Sequence, residues 1–174
     1  GLRSRGWGGP KKEEAVGEGK AIGRLILADG MGGYNAGEIA SGIAVTTIRG
    51  LVQKEWNTLK HGDVDERSGY SVEALLLKHA VETAHNTIHQ VSQTQPQCAG
   101  MGTTVVTCIL PNNQLTIAYV GASRLYRLRG RHLEQVTRDH SPLAERAARG
   151  HSPREAAQKP ARQTTLTRPL GAET

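Results

Sequence analysis

The chain has 174 residues, the size of one domain and enough to bury a core. A hydrophobic share of 37% against 22% charged residues excludes a disordered chain, and with aromatics at 3% and no Phe the core must rest on Leu, Ile, Val and Ala. The formal charge of +6 comes largely from arginines scattered through the last third, without stacking aromatics or a nucleic-acid motif, so a solvated basic face and no nucleic-acid partner are expected.

No apolar run approaches bilayer-spanning length, and the opening Gly1-Leu2-Arg3-Ser4-Arg5 has no signal-peptide core, so no membrane association is expected. Cys98 and Cys108 do not form a CxxC pair, which argues against a disulfide framework and for a reducing cytoplasm. The first twenty residues read as loop, ending in a short strand near Ala15 and Val16. Residues 23–28 are a compact apolar run, the signature of a buried strand that ends at Asp29 and enters the small-residue loop Gly30-Met31-Gly32-Gly33.

From Ala36 the period becomes helical, with Ile39, Ala40, Ile43, Ala44, Ile48, Leu51, Val52, Trp56 and Leu59 predicting one long amphipathic helix. Residues 60–70 are a polar connection. Ser71 is the predicted N-cap of a second helix whose inner face carries Val72, Leu75, Leu76, Ala80, Ala84, Ile88 and Val91. Residues 104–110 and 115–120 are predicted strands around a Pro111-Asn112-Asn113 turn. Residues 125–129 and 132–136 flank Arg129-Gly130-Arg131 as a hairpin, and a short helix is expected beyond Pro142. Two helices followed by an antiparallel meander predict a single α+β domain over residues 1–174, with helices packed on sheet.

The chemistry concentrates at Ala28-Asp29-Gly30-Met31-Gly32-Gly33. A carboxylate at a strand end can bridge two divalent cations, and the carbonyl of the following Gly30 can add a hard oxygen ligand. Two such ions can polarise a phosphate and activate a water for attack on phosphorus. On spacing alone an ordinary Asp-Gly turn is the commoner explanation.

Further segments change that balance. Residues 29–41 (Asp29-Gly30-Met31-Gly32-Gly33-Tyr34-Asn35-Ala36-Gly37-Glu38-Ile39-Ala40-Ser41) resemble the bacterial signature of the protein phosphatase 2C (PPM) family of metal-dependent protein serine/threonine phosphatases. Gly100-Met101-Gly102-Thr103-Thr104, Gly121-Ala122-Ser123-Arg124-Leu125-Tyr126, Thr137-Arg138-Asp139-His140-Ser141 and Leu166-Thr167-Arg168-Pro169-Leu170-Gly171 follow in the family's order. The resemblance implies an α+β fold, an antiparallel β-sandwich flanked by α-helices, with a dinuclear Mn²⁺ or Mg²⁺ site at one end. It also implies phosphorylated proteins as partners, among them a serine/threonine kinase and its substrates.

The departures from the family pattern are specific. Where the family opens with Arg, a spacer and Glu-Asp, this chain has Gly9 and then Glu13 and Glu14, so the phosphate-gripping fork is replaced by Gly9 while Glu13 and Glu14 remain as metal-site carboxylates. Lys11, Lys12 and Arg5 are the remaining basic groups nearby. Ala122 stands where the family pattern has an Asp associated with a third metal. The sequence ends at Thr174, before the family's later aspartate segments, so the resemblance implies a domain without its C-terminal part. Asp139 belongs to the Asp-His-Ser block and is no substitute.

The expected metal residues are thus Asp29, Gly30, Glu13 and Glu14, with Asp29 as the catalytic residue. The expected function is hydrolysis of phosphoserine and phosphothreonine by a metal-activated water. The alternative is a catalytically impaired relative acting as a binding or regulatory module. His85 and His89 sit four apart on the second helix, but without a third ligand they are expected to be a half-solvated helix face. Met31 occupies the place of a general-acid histidine found in eukaryotic relatives. Cys108 is expected to be a buried core residue, and His140 a structural turn residue. The glycine-rich loop has neither the Walker nor the GxGxxG pattern.

Overall fold

The computed structural model describes residues 14–19, of which the backbone alone is considered, together with 23–33, 35–111, 113–141, 144 and 169–171. The expectations placed on Arg5, Gly9, Lys11, Lys12, Glu13, Tyr34, the helix beyond Pro142 and residues 166–168 lie outside this set.

In chain order the elements are β1 (Glu14–Gly19), β2 (Arg24–Met31), α1 (Ala36–Glu55), α2 (Val72–Thr94), β3 (Gly102–Thr103), β4 (Val105–Ile109), β5 (Thr116–Val120), β6 (Tyr126–Arg129) and β7 (His132–Gln135). One sheet runs β1-β2-β4-β5, with β3 also paired to β2, and β6 and β7 form a separate hairpin; all pairings are antiparallel. The α+β expectation of antiparallel sheets with packed helices therefore holds. Gly130, at φ 60°, supplies the positive φ that the two-residue hairpin loop requires.

Both helices cover the same face of the larger sheet. Alternation along β2 and β4 sends Ile26, Ala28, Val105 and Ile109 into a core shared with Ala36, Ala40, Ala44, Ile48 and Val52 of α1. The i, i+4 row of alanines lets α1 lie close to the strands, which suits a chain without Phe. From α2 the core takes Leu76, Leu77, Ala80, Val81, Ala84 and Ile88. The partly buried Trp56 and Leu59 close its end.

Several boundaries differ from the sequence expectation. β1 is longer than a short strand at Ala15 and Val16, because its whole length pairs with β2. β2 continues past Asp29 through Gly30 and Met31, since these two residues pair with Thr103 and Gly102. The first helix ends at Glu55 and tightens into a 3-10 turn over Trp56–Thr58. Ile39, expected inside, is 39% exposed: it lies one residue, roughly 100° of helix rotation, from the buried Ala40 row. Leu77 was not expected on the inner face and is fully buried, whereas Val72 and Leu75 are half-buried. α2 packs against both α1 and the sheet, which widens its apolar arc.

Ser71 caps α2 as expected, its Oγ accepting the Ala74 N–H at 3.2 Å. Within the first turn Glu73 is buried, a cost offset by the Gly62 N–H at 3.1 Å and by His61 Nδ1 at 3.2 Å. Burial pushes this carboxyl up, but the hydrogen bonds from its own backbone N–H, Gly62 and His61 outweigh burial and hold it below the usual value of 4.5. They tie the 60–71 connection to the start of the helix.

The position of α1 is set by a backbone contact. Gly30 and Gly37 touch without side chains between them: a Cβ on Gly30 would overlap the Gly37 carbonyl and lie 2.9 Å from Gly37 Cα. The reverse holds too, since a Cβ on Gly37 would lie 2.9 Å from the Gly30 carbonyl carbon.

Glu73→Ala is expected to lower unfolding stability by about 2 kcal/mol in urea titration, because it removes the carboxylate's hydrogen bonds with Gly62 and His61. The folded-state value lies below the unfolded one, so the Glu73 contribution is complete above about pH 4.5 and is lost as pH falls through the lowered value. Wild type should therefore lose more stability than Glu73→Ala on acidification through that window. Gly30→Ala is expected to cost about 3 kcal/mol, since neither backbone can retreat without moving α1 off the sheet; the urea midpoint reads it.

Candidate metal site at the end of β2

β2 and the β3–β4 segment keep one register from Arg24↔Ile109 to Met31↔Gly102. The ladder is altered at a single rung, between Asp29 and Thr104. The Thr104 N–H donates to the Asp29 carbonyl at 2.9 Å, as an antiparallel pair requires. The Asp29 N–H, however, donates to the Thr104 side-chain Oγ1 at 3.2 Å and not to its carbonyl. That carbonyl accepts the Thr103 hydroxyl at 2.9 Å. Two adjacent threonines thus exchange a backbone bond for side-chain bonds at the carboxylate proposed to bind metal.

The other motif blocks converge on this rung. Thr104 Oγ1 shares a 2.6 Å hydrogen bond with Ser123 Oγ. Gly121, at φ 100°, packs against Thr104: a Cβ there would lie 2.8 Å from Thr104 Cγ2. The His140 N–H donates to the Gly121 carbonyl at 2.9 Å, the Gly121 N–H donates to His140 Nδ1 at 3.1 Å, and the His140 ring stacks on Tyr119. On the far side Thr103 pairs with Leu170 through bonds of 3.1 and 2.9 Å. Blocks separated by many tens of residues are one hydrogen-bonded assembly.

Asp139 is held by Arg124, whose Nε and guanidinium nitrogen reach its two carboxylate oxygens at 2.9 and 2.6 Å. The Arg124 hydrogen bond keeps this carboxyl below its usual range. It serves to lock the Gly121–Tyr126 segment to the Thr137–Ser141 segment, alongside the Leu125 N–H donated to Thr137 Oγ1 at 3.0 Å.

The expected site residues are placed as follows. Asp29 is exposed near the end of β2 and Gly30 follows it, half-buried. The β1 register sets Glu14 directly opposite Asp29. Two carboxylate-bearing positions are thereby side by side across the sheet, while Glu13 lies outside the described residues. Among the described residues no group of three or more His, Cys, Asp or Glu is clustered for an ion. The residue types at these positions, carboxylates and a backbone carbonyl without thiol or imidazole, have the hard character that Mg²⁺ and Mn²⁺ prefer.

Sequence reasoning missed the roles of Thr103, Thr104 and Ser123. Their motif blocks were visible, but the exchange of bonds depends on register across the sheet. His85 and His89 lie on a half-buried face, as expected, but their hydrogen bonds to Gly171 were not foreseen. The Gly171 N–H donates to His85 Nδ1 at 3.1 Å, and His89 Nδ1 lies 3.2 Å from the Gly171 carbonyl. A carbonyl only accepts, so His89 carries its proton on Nδ1 while His85 presents a lone pair there. The stacked rings thus hold Gly171 at both ends, His85 at its N–H and His89 at its carbonyl. Cys108 is buried as expected; burial pushes its thiol up, away from nucleophilic thiolate.

Comparison with known proteins gives the family. The family description "Protein phosphatase 2C" matches residues 16–148. The serine/threonine phosphatase stp of Listeria monocytogenes serotype 4b is 36% identical over 149 residues, covering 86% of this chain and 56% of that protein. The chain thus spans a little over half the length of this curated relative. The crystal structure of the Mycobacterium tuberculosis serine/threonine phosphatase PstP/Ppp superposes with a TM-score of 0.72 at 31% identity, covering 98% of this chain and 67% of that one. A PstP catalytic domain in complex with two manganese ions gives a TM-score of 0.70 at 29% identity, covering 97% of this chain and 64% of that one. With its ordered motif blocks meeting around Asp29 and Thr104, the chain belongs to the protein phosphatase 2C family.

Proposed function

We propose that residues 1–174 form a single phosphatase-type domain contributing the Asp29 part of a metal-dependent phosphoprotein phosphatase site, with phosphoserine and phosphothreonine in proteins as substrates. The observation that carries this reading is the pairing of Asp29 with Glu14 at the end of β2, immediately before Gly30. Asp29 would bridge two divalent ions, Gly30 would contribute its carbonyl oxygen, and Glu14 and Glu13 would add carboxylates in direct or outer contact. Mn²⁺ or Mg²⁺ bound there supplies Lewis acidity toward the phosphate and lowers the pKa of the attacking water. The two manganese ions of the related PstP catalytic domain support a two-ion site.

The chain's own part in this reading is positional. The paired strands hold the two carboxylate positions, and the Gly30–Gly37 contact fixes the start of α1 behind them. Met31 offers no acid, so protonation of the leaving serine or threonine oxygen falls to water or to another acid. Phosphorylated substrates of a serine/threonine kinase, and the kinase itself, are the proposed partners. A reducing, cytoplasmic setting suits two buried free thiols, Cys98 and Cys108. Among the described residues no helix is long and apolar enough to cross a membrane.

A second reading, a phosphoprotein-binding relative without turnover, is favoured by Ala122, which brings no oxygen ligand to the Gly121–Ser123 loop beside Thr104. Phosphopeptide hydrolysis followed with and without Mn²⁺ separates the two. The phosphatase reading expects Mn²⁺-dependent phosphate release that Asp29→Ala reduces to the buffer background. Metal-independent release, or release untouched by Asp29→Ala, overturns it; tight phosphopeptide binding without release establishes the second reading.

A further inference from the structure

We propose that Thr104 is a positioning residue for Asp29, an inference that rests on the reading of Asp29 as a metal ligand. Thr104 holds the Asp29 peptide from both directions, donating its N–H to the carbonyl at 2.9 Å and accepting the Asp29 N–H on Oγ1 at 3.2 Å. An ordinary ladder would leave this side chain uninvolved. Here the Thr104 carbonyl takes the Thr103 hydroxyl, so Oγ1 is the acceptor that the Asp29 N–H finds.

The hydroxyl is itself oriented. Thr104 is 6% exposed, and as a β-branched residue it has few χ1 choices. Its methyl packs against Gly121, where even a Cβ would intrude to 2.8 Å, and its Oγ1 is tied to Ser123 Oγ at 2.6 Å. Methyl and hydroxyl therefore cannot trade places without breaking one contact or the other. The peptide so held precedes the Gly30 carbonyl and carries the Asp29 Cβ, so both proposed oxygen donors inherit its orientation. A ligand held by an outer hydrogen bond meets its ion with less reorganisation, which appears as metal affinity.

The test compares Mn²⁺ binding, by calorimetry on the 174-residue chain, for wild type, Thr104→Val, Thr104→Ser and Ser123→Ala, each checked for folding by circular dichroism. Valine keeps the shape and branching and removes Oγ1; serine keeps Oγ1. The dissociation constant is expected to rise about tenfold in Thr104→Val and to stay within about twofold in Thr104→Ser. Ser123→Ala, which alters the loop and leaves the strand intact, is expected to raise it about threefold. Wild-type affinity in Thr104→Val overturns the proposal, as does an equal loss in the valine and serine variants, which marks a packing role. Should Thr104→Val fail to fold, Ser123→Ala decides, and unchanged affinity there overturns the proposal. Absence of Mn²⁺ binding by wild type overturns the metal reading itself and this proposal with it, whereas the preceding outcomes overturn the positioning role alone.

Discussion

The rest of the structure depends on two backbones meeting where no Cβ stands between them. Gly30, at the end of β2, lies against Gly37 in the first turn of α1, and either side chain would collide with the other's main chain. That contact sets how closely the helix approaches the sheet. The Ala36, Ala40 and Ala44 row then continues the same close approach along the strands. A chain without Phe and with few aromatics gains its core this way, through short distances and not through large side chains. The residue before the contact is Asp29, so the proposed metal ligand sits directly beside this close backbone approach.

Around Asp29 the structure is held mainly by hydrogen bonds between side chains and backbone. Thr103, Thr104, Ser123, Thr137 and His140 each use a side-chain oxygen or nitrogen to fix a loop or strand end. Such bonds are directional, and each one left unmade in a buried setting is costly, so they specify geometry more sharply than apolar contact does. The Arg124–Asp139 pair joins the same scheme from the surface. His85 and His89 extend it to Gly171, whose N–H and carbonyl each meet one of two neighbouring rings.

Much of this architecture was legible in the sequence, for local reasons. The period-3.6 runs marked both helices, Ser71 marked a cap that forms, and β-branched runs with turn residues marked β4, β5 and the β6–β7 hairpin. The errors have mostly non-local causes. Ile39 is apolar yet lies off the buried row, and Leu77 is buried because α2 meets two neighbours and not one. Glu73 could not be recognised as buried, since its partners come from His61 and Gly62 in a polar connection. β2 was expected to stop at Asp29 because glycines follow, and the strand continues because β3 is there to pair with it.

Composition and motif order by themselves determined that this is an α+β chain of the phosphatase 2C kind, and they carry the proposal of Asp29-Gly30 as its metal site. Those features are local or ordered along the chain, and helix periods, caps and motif blocks can be read without knowing what lies across the sheet. Only the tertiary structure decided that Glu14 pairs with Asp29 in the strand register, that Gly30 must meet Gly37, and that a threonine hydroxyl replaces a ladder carbonyl at Asp29. Each is a relation between residues brought together by strand register and helix docking. A shift of one residue in that register would turn every side chain on the strand to the opposite face, so these contacts exist only once the sheet has closed.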